Sequence, residues 1–106
     1  MARVVAFVPD LLFGSRVVAS LPGHQVELGS DFAGADLVIV DLTADPEERI
    51  ERVREGRPEG APVLAFYAHV EADVRVRAEA AGFELVVPRS RMAREGPALV
   101  QRLLAG

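Results

Sequence analysis

Four runs of β-branched and aliphatic residues, each stopped abruptly, constrain how this chain can fold. Arg3 to Val8 ends at Pro9-Asp10, Ala35 to Val40 at Asp41, Pro62 to Tyr67 at Ala68-His69, and Phe83 to Val87 at Pro88. Runs of five or six residues without polar alternation have no water-facing side, so each reads as a strand covered on both faces, the pattern of a parallel sheet. His24 to Leu28 is a shorter candidate lying second in chain order.

The segments between these runs carry helical signals. Leu11, Phe13, Val17, Val18 and Leu21 recur near helical spacing, Asp10 is placed to cap their N-terminus and Pro22-Gly23 stops them. Asp45-Pro46-Glu47-Glu48 reads as an N-cap carboxylate, a proline at the first helical position and acids facing the positive end of the helix dipole. In that helix Ile50 and Val53 form a narrow apolar stripe, and Glu48 and Arg52 are spaced for an i,i+4 pair. Val70, Val74, Ala78 and Ala81 predict a further helix over 70–81 with Gly82 at its C-terminus, and Leu99, Val100, Leu103 and Leu104 predict a last one over 97–105. Strands alternating with helices make this an α/β chain: an open, doubly wound parallel sheet covered on both faces. With 106 residues, no internal repeat and no linker, residues 1–106 read as one domain.

The connection from the second to the third strand, Gly29 to Asp36, is too short for a helix. Eight extended residues reach about 26 to 29 Å, enough to run back along the sheet and no more. One sheet face is therefore expected to lack cover there, with Phe32 as its plug or an apolar gap left as a partner surface.

Composition excludes several chemistries. The chain has no cysteine, so disulfides and thiolate catalysis are out, and all twelve basic residues are arginine, which removes every mechanism needing an ε-amino group. Sixteen carboxylates against twelve guanidiniums, with no basic run, argue against a nucleic-acid surface. The N-terminal apolar run is too short for a membrane span or a signal segment, and a cytoplasmic location is expected.

In a doubly wound sheet ligands bind beyond the carboxyl ends of the strands. The residues there are Asp10, Asp41 with Thr43, Tyr67 and His69, and Arg89 and Ser90. Two carboxylates from neighbouring strands can hold Mg²⁺, which takes oxygen ligands, and Asp41 would then be a candidate nucleophile toward phosphorus. Asp10 can equally serve only as a helix cap, whereas Asp41 has no local capping duty because Asp45 fills it. His24 lies at the opposite edge.

Leu37-Val38-Ile39-Val40-Asp41-Leu42, Ala61 to His69 and Ala80-Ala81-Gly82-Phe83-Glu84-Leu85-Val86-Val87 resemble the third, fourth and fifth strand regions of a response-regulator receiver domain, and the similarity extends over nearly the whole chain. The resemblance implies strand order 2-1-3-4-5, Asp41 as phosphoacceptor, and Mg²⁺ held by Asp10, Asp41 and the Thr43 backbone carbonyl. It also marks departures. Pro9 stands where the family has the first acid of its pair, Tyr67 replaces the switch Ser or Thr, Arg89 replaces the lysine, and the helix between strands two and three is missing.

These departures predict an atypical receiver-like module that is not an enzyme, binds Mg²⁺ weakly and acts by protein contact through its last two helices and fifth strand. The alternatives are a working phosphoacceptor, in which Asp41 is phosphorylated by a histidine kinase, and a small flavodoxin-like ligand-binding domain or enzyme. No hydroxyl-rich phosphate loop follows the first strand, and neither a dinucleotide glycine fingerprint nor a P-loop is present. A homodimer is a further possibility raised by Leu99, Val100, Leu103, Leu104 and the apolar first helix.

Overall fold

The computed structural model describes all residues, 1–106. Its elements run β1 (Arg3–Phe7), α1 (Leu11–Ser20), β2 (Gln25–Leu28), β3 (Leu37–Asp41), α2 (Pro46–Gly56), β4 (Val63–Tyr67), α3 (Ala72–Ala80), β5 (Leu85–Pro88) and α4 (Arg89–Ala105). The five strands form one sheet in the order β2-β1-β3-β4-β5, every pairing parallel.

The apolar runs do what their lack of alternation requires. In β3 and β4 every residue is buried, and successive side chains divide between two cores. Val38, Val40, Val63 and Ala65 face α2 and α3 through Ile50, Val53, Val74 and Ala78. Leu37, Ile39, Leu64 and Phe66 face α1 and α4 through Phe13, Val17, Leu99 and Val100. Leu103 and Leu104 pack against the second core, so the apolar side of α4 is largely consumed within the chain.

The edge strand β2 differs. Gln25-Val26-Glu27-Leu28 alternates, and only Val26 packs against a core. Its polar side lies on the face where a helix between β2 and β3 would sit. No helix forms there. Instead Phe32 is buried to 3% exposure, its ring meets Phe7 edge-on at 6.0 Å, and Arg49 and Arg52 lie over the Phe7 ring at 5.8 and 5.6 Å. The expected plug is therefore present, with two guanidiniums over the Phe7 ring, and a mostly apolar cavity of about 270 Å³ remains beside it at the carboxyl ends of β1 and β2, bordered by Phe7, Val8, Pro9, Leu11 and Leu28. The link is pinned by Asp36, which accepts the Arg3 N–H while the Asp36 N–H donates to the Arg3 carbonyl, both at 2.8 Å.

Several local expectations are corrected. The last helix begins at Arg89, directly after β5, and Pro97 lies inside it. The expected start at 97 rests on the apolar spacing of Leu99, Val100, Leu103 and Leu104, and the two turns before it carry only one inward apolar side chain, Met92. Asp45 occupies the N-cap position of α2 but adopts left-handed backbone (φ 46°) and makes no side-chain cap; its carboxylate lies 3.9 Å from Arg49. Arg52 donates to Ser30 at 3.0 Å and makes no ion pair with Glu48. Val70 precedes α3 and is exposed.

At the opposite end of β4 and β5, Glu84 accepts the Val63 N–H at 2.9 Å and the Arg57 guanidinium at 2.8 Å, while Arg57 also donates to the Ala61 carbonyl at 2.6 Å. Burial alone would raise the Glu84 carboxyl, but the Val63 N–H and Arg57 favour the charged form and hold it below the ordinary value of 4.5. A depressed pKa contributes stability above the unfolded value and loses it as pH falls through the folded one. The stability difference between wild type and Glu84→Gln is therefore expected to be constant near neutrality and to shrink as acid unfolding is followed below about pH 4.5. A difference unchanged into that range would show that the clamp does not depend on charge.

Candidate functional site

The register brings Asp10 and Asp41 to the same end of the sheet. Phe7 is level with Val40 on the neighbouring parallel strand, so Asp41 and the segment after β1 leave the sheet side by side. Their side chains have different occupations. The Asp10 carboxylate accepts the Phe13 N–H at 3.0 Å and caps α1. Asp10→Ala is expected to cost about 1 kcal/mol through loss of this cap, with Asp10→Ser retaining most of it, read by urea denaturation. Equal losses for alanine and serine, or a loss seen only when Mg²⁺ is present, would contradict capping as its role.

Asp41 is the one buried charged residue of the chain, at 4% exposure. Its Oδ1 accepts from the Thr43 N–H at 2.8 Å and from the Thr43 hydroxyl at 2.5 Å. Its Oδ2 lies 3.9 Å from the Arg49 guanidinium, and the same Arg49 nitrogen donates to the Asp41 carbonyl at 2.9 Å. Arg49 reaches this place because α2 begins five residues after β3 and passes its first turn over the strand end. Sequence reading missed it: an arginine one turn into a helix that already carries Asp45 four residues earlier reads as a surface pair.

The other positions are spread out. Tyr67 is buried at the end of β4 within the core facing α2 and α3. His69 is exposed beyond it. Arg89 does not pair with Asp41; its guanidinium lies 4.9 Å over the Phe13 ring, which itself stacks on Phe66 at 4.8 Å. His24 accepts the Ala2 N–H at 3.3 Å at the amino-terminal edge of the sheet.

The residues offer little to Mg²⁺ as they stand. No group of three or more His, Asp or Glu side chains is placed to hold a metal ion. Of the two carboxylates at the rim, one caps a helix and the other faces a guanidinium, whereas a hard cation needs converging oxygens free of a competing positive charge.

No protein-family model matches the chain, and no curated protein matches it in sequence. Solved structures do. A response regulator receiver protein from Burkholderia phymatum superposes with a TM-score of 0.82 at 23% identity, covering 99% of this chain and 96% of that one. The fold is that of a response-regulator receiver domain. The receiver domain of the sensor histidine kinase PA1611 from Pseudomonas aeruginosa, described with magnesium coordinated in its active-site cleft, gives a TM-score of 0.75 at 16% identity, covering 99% and 98% of the two chains. NtrX from Brucella abortus gives 0.79 at 18% identity over 98% of this chain, which spans only 26% of that longer protein. Against this receiver frame, the chain keeps five parallel strands in the same order and lacks the helix between β2 and β3. No helix is long and apolar enough to cross a membrane.

Proposed function

We propose that this chain is a signalling module of receiver form that works by protein contact, in the cytoplasm and without enzymatic activity, and that its phosphorylation is impaired. The observation that supports this is the Arg49 guanidinium at Asp41. A phosphoacceptor carboxylate must be free to attack phosphorus and must share a cation with the incoming phosphoryl oxygens. Here one carboxylate oxygen is engaged twice by Thr43 and the other faces a positive charge already fixed to the strand end. Mg²⁺ would have to displace that charge, so its binding at Asp10, Asp41 and the Thr43 carbonyl is expected to be weak. Tyr67, buried where the family carries a small hydroxyl residue, leaves no short side chain to follow a phosphoryl group.

The partner is a second signalling protein, met through α3, β5 and α4. Val70, just before α3, and Val76, on it, support this face, being large apolar side chains exposed to 78% and 65%. Incubation with a small acyl phosphate and Mg²⁺, followed by intact-mass measurement, tests the reading. Wild type is expected to remain unmodified. A phosphoryl adduct on wild type that disappears in Asp41→Asn would overturn impaired phosphorylation and make the chain a working phosphoacceptor for a histidine kinase.

A further inference from the structure

Arg16 on α1 and Arg89 at the start of α4 border an open cleft of about 420 Å³ where β4 and β5 end. His69 and Ser90 complete its polar lining, and no carboxylate takes part, although the chain carries sixteen and a net charge of −4. Neither arginine forms an ion pair anywhere in the chain. Arg89 is held by its stacking over Phe13. The helix opening onto the cleft has no acid in its first turn and carries Arg89 and Arg91 there, against its own dipole. Two other helices follow the dipole rule, with Glu47 and Glu48 opening α2 and Asp73 opening α3. Arg91 is compensated by Glu95 one turn on, at 3.5 Å, whereas Arg89 has no acidic partner and no carboxylate borders the cleft it opens onto.

The cleft does not stop at the arginines. Phe13, Arg16 and Ala93 also border a smaller cavity of about 90 Å³ further along the same two helices, where Val17, Met92 and Pro97 make the lining mostly apolar. One end of the groove is cationic and the other apolar. We propose that the α1–α4 groove binds a phosphate monoester carried on a small apolar body, its oxygens at Arg16, Arg89 and Ser90 and its body against Met92 and Pro97. Two guanidiniums and a hydroxyl supply more donors than the two oxygens of a carboxylate can use, whereas three phosphate oxygens can receive them all. The inference is independent of the state of Asp41.

Phenyl phosphate, benzoate and phenol, titrated separately into the ¹⁵N-labelled full chain, test it. Phenyl phosphate is expected to give saturable shifts at the Ser90 and Ala93 amides, benzoate to bind at least about tenfold more weakly, and phenol to give no saturable shift. Arg16→Gln, whose side chain is exposed and therefore dispensable for folding, is expected to weaken phenyl phosphate about tenfold, as is Arg89→Gln. If Arg89→Gln lowers the melting temperature by releasing Phe13, Arg16→Gln alone carries the comparison. Absence of saturable shifts with phenyl phosphate, equal affinity for benzoate, shifts centred on Asp41, or an affinity unmoved by Arg16→Gln would each overturn the proposal.

Discussion

Replacing Phe32 with alanine is expected to lower the unfolding free energy by about 3 to 5 kcal/mol, the range for truncating a buried phenylalanine. For a chain of this size, whose whole stability is of order 5 to 15 kcal/mol, that is a large fraction. The reason lies in what Phe32 replaces. It is a single side chain on an eight-residue link standing where the receiver fold has an entire helix, and it belongs to the core that includes Val5, Val38, Ile50 and Val53. The neighbours cannot collapse to fill the space. Phe7 is fixed from outside by Arg49 and Arg52, and α2 already approaches so closely that a β-carbon on Gly56 would lie 2.9 Å from the Phe32 ring. A cavity that cannot relax is the costly kind. Phe32→Leu keeps most of the buried area and is expected to lose about half as much. The measurement is the urea midpoint at unchanged slope. A loss for Phe32→Ala below about 1.5 kcal/mol would mean that the link moves freely and the sheet face is not sealed by this ring.

How much of this was legible in the sequence depends on which physical signal each element carries. The central strands β1, β3 and β4 are written in continuous apolar runs because both sides are covered, and the missing helix is written in the length of the 29–36 link. The lone glycine before β5 marked the end of α3, and Gly82 does take the left-handed backbone there (φ 87°) that favours glycine. The first two turns of α4 were not legible, because Arg89-Ser90-Arg91 contradicts the dipole rule that normally announces a helix start, and only Met92 of that stretch turns inward. At the site, parallel topology accounts for Asp10 and Asp41 reaching one rim. What their carboxylates touch was out of reach, since Arg49 arrives from another element and its partner is decided by how α2 lies on the sheet.

On the proposed reading, that arrangement makes Arg49 the position where stability and function meet. Arg49→Ala is expected to cost about 2 to 3 kcal/mol, because it removes the hydrogen bond to the Asp41 carbonyl and leaves a buried carboxylate facing no positive charge. The figure sits below that for a fully buried pair because Thr43 still supplies two hydrogen bonds to Oδ1. Asp41→Asn alone keeps an oxygen for the Thr43 N–H and removes the charge, so it should cost about 1 kcal/mol. If the guanidinium acts on the carboxylate, the double variant must be less destabilised than the sum of the two by about 1 to 2 kcal/mol, since the asparagine no longer needs the charge that alanine removes. If instead Arg49 acts only through the backbone carbonyl and the Phe7 ring, the two costs will add to within about 0.5 kcal/mol. The same variant reads the functional side. Arg49→Ala vacates the positive charge that competes with a cation at Asp41, so Mg²⁺ should bind it more tightly than wild type, and that gain should vanish in the double variant. Additive stabilities together with an unchanged Mg²⁺ affinity would remove Arg49 as the group that holds Asp41 out of phosphoryl chemistry.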